Sequence, residues 1–231
     1  MREYFLKEYG SWSVMLLSYA TGLAVGRTVN GASLAPLLAL SLYINAKQAF
    51  VLWMRRAGPS PERAGGVFVL QLSAATLLLL AAFGSSLLRL LPFAFVPALY
   101  LLFLKGAGEH AFVTEIAGFA LLALSSLVAR FAASGILDPA LFASVALFFA
   151  ASVFKVRVQL SKKPSRRVLA VLYVALCLAA YAEMGIPLIL LLPLLDTLVF
   201  AAFPYRVRLK TLGWIEVGKG SAFLVLAAFF Y

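Results

Sequence analysis

Residues Gly65–Leu104 read GGVFVLQLSAATLLLLAAFGSSLLRLLPFAFVPALYLLFL, and Arg89 is the one charged side chain in that stretch. A membrane-spanning helix needs about 20 apolar residues, with a range of roughly 17–25. The stretch is therefore long enough for two, one over Gly65–Phe83 and one over Leu87–Leu104 with Pro92 and Pro97 inside it. The rest of the 231 residues is alike: 64% are hydrophobic, 13% are charged, and the mean hydropathy is +0.99. A soluble domain has roughly 45–50% apolar residues and about 25% charge. A globule cannot hide this much apolar surface from water, so a soluble dinucleotide-binding enzyme and a disulfide scaffold are both excluded.

Cutting the chain at charge clusters and Gly/Pro punctuation predicts an all-α polytopic transmembrane bundle of about nine spans. They lie near residues 10–26, 32–54, 65–83, 87–104, 111–129, 139–154, 168–182, 186–203 and 212–230, in one transmembrane domain over 1–231. Spans 6 and 7 are short and span 4 carries prolines, so eight is the alternative count. The charged opening Met1–Gly10 has no small-residue cleavage box and reads as the start of the mature chain.

The charge balance is 20 Lys and Arg against 9 Asp and Glu, net +11. Nucleic acid is not the expected partner, because cytoplasmic loops collect basic residues in any multi-pass protein. With nine spans and the N-terminus cytoplasmic, the inner segments hold 15 of the basic residues, while the outer ones hold Arg27, Arg89 and Arg130. This asymmetry predicts a multi-pass cell-membrane protein with its C-terminus outside. The inner run Lys155–Arg167 is expected to meet anionic lipid or an acidic protein partner. Cys177 is the single cysteine, so no internal disulfide can form.

Ionisable residues inside a membrane are costly and tend to face a bundle interior or a cavity. Here they gather in the cytoplasmic half: Glu8 and Trp12 at span 1, Asn45, Lys47 and Gln48 on span 2, and His110 and Glu115 at span 5. Arg157 follows span 6, Asp196 is on span 8, and Trp214, Glu216 and Lys219 open span 9. Ser41, Asn45 and Gln48 recur at i, i+4, i+7, as do His110, Thr114 and Gly118, so each set shares a helix face. Taken singly, each charge is explained by snorkelling or by the helix dipole. Taken together, they predict a polar pocket open to the cytoplasm and lined by spans 1, 2, 5, 8 and 9.

Several motifs are weaker than they look. Gly213–Gly220 approaches the phosphate-loop pattern, but Gly220 stands where Ser or Thr would hold magnesium, and no strand precedes it. Gly22 and Gly26 form a GxxxG pair suited to close helix contact. His110 is the only histidine and has no second His or Cys to share a zinc ion, so neither a metal nor a cofactor is expected.

Glu8-Tyr9-Gly10-Ser11-Trp12 followed by Met15-Leu16-Leu17 resembles the opening E-H-G-A-W-A-M-L-L of the YwiC-like membrane protein family, with Tyr9 in place of the usual His and Ser11 in place of Ala. Glu115-Ile-Ala-Gly118, Val153-Phe-Lys-Val-Arg157 and Lys210-Thr-Leu-Gly213-Trp214-Ile-Glu216 are similar to further family motifs. The nine-helix outline with a cytoplasmic-side pocket also resembles UbiA-type prenyltransferases. Their two Asp-rich, magnesium-binding motifs have no counterpart, because Asp138 and Asp196 are the only aspartates. The expectation is a pocket for an anionic lipid or isoprenoid head group, with the existence of any reaction left open. The alternatives are a small-solute transporter or a non-catalytic membrane subunit.

Overall fold

A computed structural model describes residues 8–29, 31–56, 60–161, 163–203 and 207–231. The basic residues Arg2, Lys7, Lys162 and Arg206, and residues 1–7 of the N-terminal stretch read as a mature start, lie outside them. The described residues form an all-helical fold without strands. The long helices are α1 (Tyr9–Gly26), α2 (Leu34–Met54), α3 (Pro61–Phe83), α4 (Phe95–Gly106), α5 (Phe112–Ser134), α6 (Pro139–Ser161), α7 (Pro164–Glu183), α8 (Leu195–Ala202) and α9 (Leu209–Phe230). Six helical stretches among the described residues are long and apolar enough to cross a membrane. They include α2, α5, α6, α7 and α9; the sixth is the continuous 46-residue run Pro61–Gly106, in which a 3-10 stretch, Gly84–Ala94, joins α3 to α4.

Local chemistry sets the boundaries. Proline opens α3, α6 and α7, where a missing N–H costs nothing and φ is already helical. Asp138 Oδ1 accepts from the Leu141 N–H at 2.9 Å and caps α6. Pro193 lies where the chain runs in 3-10 form from Leu188 to Leu194 before widening into α8, so that segment is a broken helix rather than a single one.

Helix α6 is the hub, with 61% of its central window enclosed by protein. Its first four turns are apolar on nearly every face, as suits a helix surrounded by others. Phe148 stacks on Phe223 of α9 with centroids 4.2 Å apart, and Phe154 stacks on Tyr173 of α7 at 4.1 Å. Around it α5 packs against α1, α4 and α6, α9 packs against α1 and the 3-10 stretch before α8, and α2 pairs with α3. Many side chains of α3, α4 and α7 face outward as bare Leu and Val, a surface that suits lipid and not water.

Bonds between helices gather at both ends, with those of Ser125 to the Met15 carbonyl, Tyr173 to the Leu147 carbonyl and Tyr181 to the Ser144 carbonyl between them. At one end Thr28 donates to the Ala133 carbonyl, Arg130 to the Val25 carbonyl, and Tyr231 to Asp138. The other end carries the links between Glu8, Lys47 and Glu109, between Glu115 and Arg157, and from Gln159 to the Val207 carbonyl. One expectation needs correction here. Span 6 was to end at Phe154 and release Lys155 into the inner loop; instead α6 continues to Ser161, and Lys155 is fully enclosed. Val153, Phe154 and Val158 are buried in a cluster with Ala170 and Phe200, and that packing carries the helix on past Phe154.

Candidate functional site

The polar residues expected on the cytoplasmic side assemble into three charge groups rather than one continuous pocket. In the first, Lys47 on α2 pairs with Glu8 at 3.3 Å and with Glu109, just before α5, at 3.4 Å; Glu109 also pairs with Arg55 at 3.3 Å. In the second, Arg157 on α6 sends Nε and Nη2 to Glu115 Oε2 on α5 at 2.9 and 2.8 Å, and Nη2 also donates to the His110 carbonyl. The Phe112 ring lies 5.1 Å below that guanidinium.

The third group is the deepest. Lys155 of α6 and Lys219 of α9 face Asp196 of α8 and Glu216 of α9, and each ammonium meets each carboxylate. Lys155 contacts Asp196 directly and Glu216 at 3.1 Å, while Lys219 lies 3.1 Å from Glu216 and 3.6 Å from Asp196. Ser152, one turn before Lys155, donates to Glu216, and Lys219 also donates to the Thr197 hydroxyl at 3.0 Å. Two positive and two negative charges cancel, which is how a buried cluster avoids the cost of an uncompensated ion. Lys219 is the eleventh of the 22 residues of α9, so the cluster reaches roughly 15 Å from the start of that helix. Snorkelling does not explain a lysine there.

A groove of about 680 Å³ runs along the quartet between the Leu188–Ala202 segment and α9. Leu192, Pro193, Val225 and Leu226 give it apolar walls, and Asp196 and Lys219 are its charged members. Lys155 and Glu216 sit behind that edge. A surface with these two characters accepts a molecule with a polar end and an apolar body.

The expected site residues divide accordingly. Asp196, Glu216 and Lys219 meet in the quartet, Glu115 and Arg157 pair, and Glu8 and Lys47 pair. Trp214 is 68% exposed and turns away from all three groups. Asn45 is buried on α2, with its amide donating to the Ser41 carbonyl of its own helix, while Gln48 and Trp12 are half-buried. The His110 side chain is exposed and contributes its carbonyl. Lys155, Ser152 and Thr197 were missed as site residues, Lys155 because it was assigned to a basic loop. The readable signal was its spacing: Ser152 and Lys155 are three apart, on the face where a polar pair stands out among Ala, Val and Phe. Among the described residues, no group of three or more His, Cys, Asp or Glu is placed to hold a metal ion.

The family described as YwiC-like protein matches residues 6–130, more than half of the chain. That stretch runs from before α1 into the last part of α5 and includes the Glu8–Lys47–Glu109 group; the quartet lies beyond it. No curated protein and no solved structure matches the chain.

Proposed function

The chain belongs to the YwiC-like protein family, and from that premise we propose that it is a multi-pass membrane protein that binds an amphiphile with an anionic head, a lipid or an isoprenoid. The head lies against the Lys219–Asp196 edge of the quartet, and the tail lies along Leu192, Pro193, Val225 and Leu226. The observation that carries this reading is the groove itself, apolar along its walls and charged at one place. A hydrophilic solute would leave those walls unsatisfied, and a plain hydrocarbon would have no partner for the charged edge. The site is reached from the bilayer on the cytoplasmic side, given nine spans and an inner N-terminus.

The likeness to UbiA-type enzymes extends to the outline of the bundle and not to magnesium–pyrophosphate chemistry. Asp138 caps α6 at the opposite end of the helix from Lys155, so the two aspartates do not meet. Basic residues of the inner segments add attraction for anionic lipid. The test is native mass spectrometry of the purified full chain, with identification of what co-purifies. A stoichiometric anionic amphiphile that is lost from Lys219→Ala and Glu216→Ala is the expected result, and its persistence in both variants overturns the assignment.

A transporter is the second reading, favoured by the placement of Lys219 halfway along α9. Coupled transporters keep ionisable groups near the bilayer midplane. Proteoliposome uptake of a small solute that fails with Glu216→Gln would favour it over a lipid-binding role.

A further inference from the structure

The four members of the quartet are held very differently. Lys155 is completely enclosed and Lys219 is 8% exposed, with Thr197 and both oxygens of Glu216 as its hydrogen-bond partners. Glu216 accepts from Ser152, Lys155 and Lys219. Asp196 is 32% exposed, lines the groove, and among the described residues has the two lysine ammoniums as its partners. Among the described residues, no hydroxyl or backbone N–H ties it in place. Its departure leaves Lys155 with Glu216 as its carboxylate partner, a vacancy that an incoming anion can fill.

We infer that Asp196 is a built-in stand-in for the anionic group of the ligand, and that binding is an exchange in which the incoming anion takes the place of its carboxylate on Lys219 and Lys155. This rests on the amphiphile reading above and adds two things to it. The first is the charge class of the head. With Asp196 turned toward the groove, Lys155, Lys219 and Glu216 carry a net single positive charge, so one negative charge restores neutrality. A phosphodiester or a carboxylate fits that requirement, whereas a diphosphate brings more charge than the site can balance. The second is a specificity device. An uncharged amphiphile cannot displace the carboxylate, so the resting quartet stays closed to the bulk of apolar molecules around it.

The experiment uses the full chain in detergent, titrated with phosphatidylglycerol and with phosphatidylethanolamine of the same acyl chains and followed by native mass spectrometry. Asp196→Asn keeps the side-chain shape and leaves the site with a spare positive charge. It is expected to retain phosphatidylglycerol about tenfold more tightly than wild type, with little change for phosphatidylethanolamine. Asp196→Ser removes the same charge and serves where Asn disturbs packing. Ala222→Trp fills the groove wall and is expected to abolish both the wild-type retention and the gain. Inorganic phosphate, which has no tail, is expected to leave the lipid bound; displacement of the lipid by phosphate alone overturns the amphiphile as ligand. If Asp196→Asn binds phosphatidylglycerol no better than wild type while Ala222→Trp still weakens binding, the stand-in role is overturned and the groove reading survives. Retention that ignores Ala222→Trp in every background overturns both.

Discussion

Lys155 is the residue on which the charged half of the bundle turns. A fully enclosed ammonium is tolerated because two carboxylates neutralise it, and removing it leaves Asp196 and Glu216 to share Lys219. Lys155→Met is expected to cost roughly 3–5 kcal/mol, the usual penalty for stranding a buried charge. Pairing it with Asp196→Asn restores neutrality and should recover most of that loss; thermal unfolding in detergent of the two single variants and the double variant measures the recovery. The Arg157–Glu115 pair is more accessible, with exposures of 22% and 33%. Glu115→Gln is therefore expected to cost about 1 kcal/mol or less in the same assay. Three quartet members were legible in the sequence because a charge inside an apolar run is conspicuous. Lys155 was not, because it adjoins a basic stretch and nothing in residue type distinguishes the last buried turn of a helix from the first turn of a loop.

At the scale of elements, the tightest joint is α1 on α5. A Cβ placed on Gly22 would lie 2.2 Å from the Ser126 carbonyl oxygen and 2.7 Å from Ala129, and one on Gly26 would lie 2.5 Å from Ala133. The clash at Gly22 is with backbone, which cannot rotate aside, so Gly22→Ala must separate the two helices. A loss of about 2–3 kcal/mol is expected from such overpacking. Gly218 has open space at its Cβ position, and Gly218→Ala should be neutral or stabilise α9 by up to about 1 kcal/mol through helix propensity. Comparing the two melting temperatures separates a packing glycine from a permissive one. The GxxxG spacing was visible in the sequence, but its partner helix was not, since the facing Ser126, Ala129 and Ala133 form a small-residue stripe that only the fold brings opposite. The helices themselves were legible because apolar length is a strong signal. The ends of α6, the 3-10 stretches around Pro92 and Pro193, and the division of the polar residues into three groups depend on packing that periodicity does not encode.

For the whole molecule, the contacts between helices sort the helix ends into two sets. Links at one end join the start of α1, the later part of α2, the approach to α5 and the end of α6; links at the other join the ends of α1, α5 and α9 to the start of α6. Such a pattern requires successive segments to run up and down. The 46-residue run Pro61–Gly106 is more than twice what one crossing needs, and Gly84 has the positive φ of 53° that a reversal can use. Cysteine accessibility in intact cells decides the matter cleanly, because Cys177 is buried and leaves the wild-type chain nearly silent to a membrane-impermeant maleimide. With nine crossings and an inner N-terminus, Ser85→Cys and Ile136→Cys are labelled in intact cells, while Lys105→Cys and Lys163→Cys are labelled only after permeabilisation. Labelling of both Ser85→Cys and Lys105→Cys only after permeabilisation would mean that Pro61–Gly106 does not cross and would lower the count by two, because the Arg55–Glu109 pair holds the end of α2 beside the start of α5. Labelling of Lys105→Cys and Lys163→Cys in intact cells would instead invert the whole bundle and set the quartet in the outer leaflet, against the side that the excess of Lys and Arg assigns to it.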